Sequence, residues 1–590
     1  MSLVCASFGL LLIDQPHRAI GAPFLYATDY ASETHLLQTG RMFWEACRKM
    51  YGYNPWFMAG YPYADYTSGL MWKLLGVVFA SFNPGTIAAM FLAAALGFFP
   101  FAGYFSVRIS GRTAPEALTG AFLFSCFGML GPPLFFAWMG LLEAVTALWA
   151  VTLSAMCLFA WHSKGRAYTW FALLFSTTFA LMSHKTAMIA LAITGLSALL
   201  FSRASLSRLA LSALAGLLAL AANLFWLWPL YRNRIYFDFE PHYHWGGRNG
   251  VIADFFHLDG TLGSTLLAWT IIIASIAGLR ILRRSDKSTS DTLTAAAVVL
   301  ALFAIVGPYI DALAPAQPRR FVGYFLILCI YPASIALHGL LDSIRPRARW
   351  STIVIFTAFI LVLPNAYRRV SPFKIQTSLP PRARAVVEWI SQNTTPDARV
   401  MVEEIGESGG PDNPYGGSYL NNLLPSLTKR EIIGGPYPGI DILHHRVTFL
   451  DGKVRDKPLA KMSDAELVSL FDTYNIGWVV SFTDEAKKRL EKMDSFIDKA
   501  ANYGLISCYN VKRKHSYLIG AQGDVKAGPS VIEVKIDRAD SDIFAIKYHW
   551  DPRFKPDGPV KLDRYEVDGD PVGFIEVRAT APVKFTINYE

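Results

Sequence analysis

Cysteine is scarce and scattered. The chain has six, at Cys5, Cys47, Cys126, Cys157, Cys329 and Cys508, with no C-x-x-C pair. That spacing excludes a structural zinc cluster and a disulfide framework. Charge is also sparse, at 17% of residues, against about 25% in an ordinary soluble domain. Low charge, 53% hydrophobic content and a mean hydropathy of +0.30 exclude a disordered, collagen-like or typical cytosolic chain. No internal repeat or low-complexity tract is present. At 590 residues the length suggests more than one domain.

What the sequence has instead is long apolar runs. A helix needs about 20 apolar residues to cross a bilayer. Ten runs approach or reach this: Thr86–Val107, Pro115–Leu134, Leu141–Trp161, Tyr168–Ser183, Thr186–Ser202, Leu206–Leu230, Leu262–Leu282, Leu293–Leu313, Phe321–Leu341 and Trp350–Tyr367. Leu3–Ile13 is shorter and reads as a first span. Leu70–Phe82, interrupted by Lys73 and flanked by Pro62 and Pro84, reads as a helix lying in the outer interface.

The net charge of +9 is a topology signal rather than a nucleic-acid signal. Arg108/Arg112, Lys164/Arg166, Arg203/Arg208, Arg280/Arg283/Arg284/Lys287 and Arg345/Arg347/Arg349 fall in every second loop, which marks those loops as cytoplasmic. The alternate segments Asp14–Gly85, Gly131–Gly140, His184/Lys185, Tyr231–Thr261 and Ala314–Arg320 then face outward. The expectation is a polytopic α-helical membrane protein of the inner or plasma membrane with roughly eleven spans.

Near Arg368 the composition becomes that of a soluble domain. This divides the chain into a transmembrane domain, 1–368, with a first outer loop, 14–85, and an extracytoplasmic domain, 369–590. In the second part Arg382–Asn393, Asp464–Tyr474 and Asp484–Gly504 read as helices. Arg399–Glu403, Ile476–Ser481, Ser516–Ile519 and Val531–Ile536 read as strands. The alternating residues of Phe544–Tyr548, Phe574–Val577 and Val583–Tyr589 suit half-exposed strands. An α/β portion followed by a small β-sandwich is expected.

Ionisable residues beside spans are costly and mark candidate sites. The first outer loop is the richest, with Asp29, Glu33 and His35, then Trp56, Gly60, Tyr61 and Pro62, then Asp65. Asp29 and Glu33 are four apart, which puts both carboxylates on one face of a helix. A carboxylate facing a membrane cavity can serve as a general base; a solvated loop with interfacial aromatics is the competing reading. Glu143 lies one turn into a span, where the helix dipole alone favours a carboxylate. Arg319 and Arg320 sit on an outer loop, against the positive-inside bias, with the planar fork suited to phosphate. His184 and Lys185 cap a tight outer hairpin. Asp238, Glu240, His242 and His244 lie on the long loop Tyr231–Thr261, as substrate-lining groups or as ligands to a divalent ion.

An acidic residue and a His after the first span, then W-x-x-x-G-Y-P and an interfacial helix, resemble the first outer loop of GT-C membrane glycosyltransferases. Asp29, His35, Trp56, Gly60, Tyr61 and Pro62 carry the match, and the spacing from Asp29 to His35 is longer than the family pattern. The closest likeness is to the YfhO-like branch, also called 6-pyruvoyl-tetrahydropterin synthase-related membrane proteins; that name implies no pterin chemistry here. The resemblance implies a polyprenyl-phosphate-sugar donor and a glycan, lipid or protein acceptor. It implies Asp29 as the catalytic base, a second acidic group at Glu143, and an arginine at Arg319 or Arg320 holding the lipid phosphate. A divalent metal ion is a candidate cofactor with no assigned site. Two other readings are a transporter or lipid-linked glycan flippase and a non-catalytic envelope-assembly membrane protein. The first needs charges deep in the spans, which are few: Glu116 and Glu143 sit near span ends.

Overall fold

The computed structural model describes all residues except 65, 67, 68, 239–261, 345–354, 356, 359–361, 365, 369–373, 407–412 and 437–441. Asp65, Glu240, His242 and His244 therefore lie outside the described residues, as does most of the run Trp350–Tyr367.

Helices dominate the first 344 residues. After a short apolar helix, Ser2–Leu11, the segment 14–85, expected as the first outer loop, holds helix α1, Tyr30–Cys47, and helix α2, Leu70–Val78. Gly131–Gly140, expected as a turn, contains helix α3, Pro132–Met139. It continues the apolar helix Ala114–Leu130 at a bend of 47°. The bend falls at Gly131-Pro132-Pro133, where proline cannot extend the preceding helix. Helix α4, Leu142–Lys164, follows as an uninterrupted apolar rod of 23 residues. Three further long helices are α5, Leu262–Ser285, α6, Lys287–Val306, and α7, Phe321–Ile344.

Among the described residues, five helices are long and apolar enough to cross a membrane, or seven if each of two bent pairs counts as one span. The second bent pair breaks by 65° at Asn223. Its amide donates to the Ala219 carbonyl at 2.8 Å, and its side-chain oxygen accepts from Trp226 Nε1 at 2.7 Å. A buried Asn thus satisfies the backbone that the break exposes. Ser2–Leu11, Ala167–Ser183 and Lys185–Phe201 are apolar but shorter. Among the described residues these helices do not confirm roughly eleven spans.

The C-terminal region is rich in β-structure. A five-stranded mixed sheet runs Ile432–Ile433, Arg399–Val402, Ile476–Ser481, Ile506–Val511, Ile497–Tyr503. Helices Pro381–Asn393 and Asp464–Thr473 accompany it. The second starts at a capping box in which Ser463 and Glu466 satisfy each other's backbone N–H groups. Two four-stranded antiparallel sheets follow and share one apolar core. Val531–Ala539 shows why: Ile532, Val534 and Ile536 are buried while Glu533 and Lys535 are exposed, and Ile532 pairs with Ile587, Val534 with Phe585. The expected helix Asp484–Gly504 is corrected. It ends at Glu491, and Ile497–Tyr503 is an edge strand whose residues are mostly exposed.

Within the bundle α5 and α7 approach closely at Gly278. A Cβ there would stand 1.8 Å from the Pro332 carbonyl oxygen. Small residues permit such backbone contact in apolar bundles. Gly278→Ala is expected to lower stability by about 1–3 kcal/mol through overpacking. Gly195→Ala, where a Cβ meets nothing within 4 Å, is expected to leave it unchanged or raise it. Thermal unfolding of both variants in detergent checks the pair.

Candidate functional site

Asp29 is the residue preceding the first turn of α1 and is only 5% exposed. Its backbone is fixed from two directions. The Asp29 N–H donates to the Met139 carbonyl at the end of α3 at 3.0 Å, and Thr28 Oγ1 donates to the same carbonyl at 2.6 Å. From the C-terminal region, the Gly417 carbonyl accepts from Thr28 N at 2.6 Å, and Ser418 Oγ donates to the Thr28 carbonyl at 2.7 Å. Thr28 itself is held at φ +31°. Gly140 closes the other side: with φ +98°, it brings its Cα so near that a Cβ would lie 3.3 Å from the Asp29 carbonyl carbon and 3.1 Å from Tyr30 N.

Burial pushes the Asp29 carboxyl up to about 7, and the nearby Arg320 guanidinium opposes that rise. Arg320 is 8% exposed, while Arg319 is half-buried. The Arg320 guanidinium lies 3.1 Å from His184 Nε2. Arginine only donates; on the other side of the ring, Nδ1 accepts from Thr186 N at 3.2 Å, capping the helix Lys185–Phe201, and lies 2.7 Å from Thr186 Oγ1. Thr186 Oγ1 is in turn 2.9 Å from the Tyr324 hydroxyl, one turn into α7. Lys185 Nζ donates to the Tyr66 carbonyl of the first loop at 2.5 Å.

Glu143 approaches the same loop from α4. Its Oε1 accepts from Trp72 N, in the first turn of α2, at 3.4 Å. A carboxylate from one helix thereby caps the orphan N–H groups of another. The structure thus gathers Asp29, Glu143, His184, Lys185 and Arg320 around the first outer loop.

The other residues singled out in the sequence go elsewhere. Glu33 is buried one turn along α1, its N–H bonded to the Asp29 carbonyl at 2.9 Å. His35 packs edge-on against Phe57 and Tyr63, with ring centroids 5.0 and 6.2 Å away, and lies 3.2 Å from Thr39 Oγ1. Burial, with Lys73 nearby, pushes the imidazole down to about 3. Trp56 and Tyr61 belong to a hairpin in which Gly52–Asn54 pairs with Tyr61–Tyr63, Trp56 in the connection and Tyr61 in the second strand. Its tip faces the C-terminal region. The Trp56 carbonyl accepts from Ile432 N at 2.8 Å, and the Ala59 carbonyl accepts from His549 N at 2.8 Å. Gly60, at φ +91°, has no room for a Cβ, which would meet the Tyr53 hydroxyl at 2.0 Å. Asp238 is held by Arg446 in a two-pronged ion pair at 2.8 and 3.1 Å. Among the described residues no group of three His, Cys, Asp or Glu side chains is placed to hold a metal ion.

Sequence reasoning did not find Thr28, Gly140, Ser418 or Arg446. Gly416-Gly417, both at positive φ, was the visible signal for one of these contacts.

No family model and no curated relative matches the chain. Solved structures do share its fold. An oligosaccharyltransferase from Archaeoglobus fulgidus, in a complex with Zn and sulfate, superposes with a TM-score of 0.51 at 13% identity, over 81% of this chain and 67% of that one. The oligosaccharyltransferase AglB of the same organism, with an inhibitory peptide and a dolichol-phosphate, gives 0.50 at 12%, over 81% and 68%. The arabinofuranosyltransferase AftD from Mycobacteria gives 0.53 at 15%, over 89% of this chain and 41% of that one. This chain therefore spans less than half of AftD. What the chain shares with these structures is the fold, and its own part of that likeness includes an apolar helical core.

The cap made by Glu143 is separable from any chemistry. Glu143→Ala removes the acceptor of Trp72 N and is expected to cost about 1 kcal/mol, whereas Glu143→Gln keeps an acceptor oxygen and most of the stability. Thermal midpoints of the two variants, compared with wild type, check this; equal midpoints for all three refute the capping role.

Proposed function

We propose that this protein transfers a sugar from a polyprenyl-phosphate-linked donor to an extracytoplasmic glycan, lipid or protein acceptor, with Asp29 as general base. The observation that carries the reading is a buried carboxyl pushed up to about 7 beside a buried arginine, on a fold shared with an oligosaccharyltransferase and an arabinofuranosyltransferase. One of those relatives was solved with a dolichol-phosphate. The YfhO-like assignment rests on the first-loop residues alone. The division into a membrane-embedded part, 1–368, and an extracytoplasmic part, 369–590, belongs to the same reading.

In this scheme the acceptor's hydroxyl or amide gives its proton to an Asp29 carboxylate oxygen. The freed electron pair forms the bond to the anomeric carbon while the bond from that carbon to the phosphate oxygen breaks. Polyprenyl phosphate leaves as an anion and needs little protonation. Arg320 meets its charge, and His184, beside the guanidinium, holds it in place. Arg319 is the second candidate for the phosphate, with Lys185 near enough to the loop to join it. One carboxylate with cations suffices, unlike the paired carboxylates of glycoside hydrolysis. Glu33 and Glu143 are substrate-side groups in this reading, Trp56, Tyr61 and His35 support the loop, and Asp238 ties its own segment to Arg446.

A base must be ionised to act. With the Asp29 carboxyl pushed up to about 7, the ionised fraction grows as pH rises through that value. Transfer, as kcat/KM, is expected to climb along an acid limb centred near pH 7 and then level off. Asp29→Asn is expected to lower the rate by about a hundredfold to ten-thousandfold and to abolish that limb, with donor binding retained. Near-normal transfer by Asp29→Asn refutes the assignment.

For Arg320, substitution by Lys is expected to weaken donor binding less than substitution by Ala, because a point charge keeps part of the attraction that a planar fork supplies. Donor affinities of the two variants, measured beside wild type, decide whether this arginine touches the phosphate. Equal affinity for all three removes it from the phosphate site.

A further inference from the structure

The apolar rod α4 has Glu143 at one end and Lys164 at the other. At about 1.5 Å per residue these ends stand about 30 Å apart, one hydrocarbon thickness. At the Lys164 end, away from Asp29, the structure holds a second polar place. A cavity of about 220 Å³ opens among the ends of four helices and is lined by Ser110, Arg112, Ser163, Lys164, Ser285 and Tyr331, among others.

Three features of this cavity point to an anion. Its cations are fixed from below: Lys164 Nζ donates to the Ser110 carbonyl at 2.8 Å, and Arg112 Nη2 donates to Ser285 Oγ at 3.3 Å. An ammonium carries three N–H groups and a guanidinium five, so these bonds position the groups without using their donors up. The lining hydroxyls of Ser110, Ser163 and Ser285 donate to carbonyls of Val107, Ala160 and Leu282, and Thr289 donates to Asp286, so the two cations supply the donors for a ligand. The lining carboxylate, Asp286, is engaged within its own helix: its two oxygens accept from Thr289 N at 3.0 Å and Thr289 Oγ1 at 2.7 Å, capping α6. Glu116 touches Arg112 only at 3.8 Å, from outside the cavity. The volume also discriminates. Pockets for whole small molecules run about 300–1,000 Å³, so a sugar-lipid donor does not fit, while a compact phosphate-bearing group does.

We propose that this cavity binds a phosphate group, presented either on the headgroup of an anionic phospholipid or as free phosphate. The site stands apart from Asp29 and does not depend on the transferase reading. Basic pockets between membrane helices are suited to lipid headgroups, and Gly111, at the rim, keeps Lys164 aimed inward: a Cβ on it would meet Nζ at 1.8 Å.

The test uses the full chain in nanodiscs of phosphatidylcholine, with phosphatidylglycerol added stepwise and bound lipid counted by native mass spectrometry. Wild type is expected to retain phosphatidylglycerol saturably over phosphatidylcholine. Arg112→Gln with Lys164→Gln is expected to weaken that retention by about tenfold or more, the worth of charge-assisted hydrogen bonds. Arg283→Gln removes an arginine that is 63% exposed and is expected to change nothing. Ser163→Leu narrows the cavity without altering charge and is expected to lose binding too, which keeps the test open if the double variant fails to fold. Inorganic phosphate that displaces the lipid assigns the site to free phosphate; phosphate without effect assigns it to the headgroup. Equal loss in Arg283→Gln and the double variant, or a wild type with neither a preference for phosphatidylglycerol nor saturable binding of inorganic phosphate, overturns the proposal.

Discussion

The position of Asp29 depends on two carbonyl groups that belong to distant parts of the chain. Met139, at the end of a helix in the apolar bundle, accepts from Asp29 N; Gly417, in the C-terminal region, accepts from Thr28 N. A buried backbone N–H without a partner costs as much as a lost hydrogen bond. The loop therefore keeps both attachments or moves as a whole. This holds the carboxyl in a buried position through the backbone of its own residue. It also explains why burial outweighs Arg320 at this group: the backbone, not an ion pair, holds Asp29 inside.

The same logic extends along the loop. Tyr26 and Gln376 exchange both backbone hydrogen bonds, at 2.8 and 3.0 Å, and Met58 N donates to Ile432 at 3.1 Å. Phe24, Tyr26, Phe43, Phe57 and Tyr61 share one apolar core with Val400, Ile433 and Val479 of the mixed sheet. The first outer loop is thus a layer of the C-terminal core as much as an appendage of the bundle. A loop anchored in this way is a rigid support for a site, in contrast with the usual mobile connection.

Local pattern explains most of what the sequence made legible. Among the described residues the apolar runs became helices, and the alternation of Val531–Ile536 and Val583–Tyr589 became paired strands, because hydrophobic period reports burial directly. The error at Asp484–Gly504 has a local cause too. After Glu491 the residues Ile497–Tyr503 form an exposed edge strand, and an edge carries little periodicity to read. Long-range placement was not legible. The W-x-x-x-G-Y-P segment suggested a site beside Asp29, yet its Gly60 makes room for Tyr53 and its carbonyls meet Ile432 and His549. Nothing at those positions in the sequence names partners hundreds of residues away. Arg320 and His184 were each visible as unusual outer polar residues; their contact was not.

The scarcity of charge has a structural counterpart in α4. Between Glu143 and Lys164 this helix carries one titratable side chain apart from its buried cysteine, His162, which is 2.9 Å from Ser212 Oγ near the basic end. The polar chemistry of the bundle is therefore split between two surfaces with an apolar slab between them. Sites more than about 7–10 Å apart with no shared partner behave additively, and interior charge interactions that far apart reach each other only through a two-state rearrangement of packed helices. A rod packed as closely as α4, with almost every residue buried, has no slack for such a rearrangement on its own. The end that gathers Asp29, Glu143 and Arg320 and the end that gathers Arg112 and Lys164 are consequently two independent polar devices on one apolar frame.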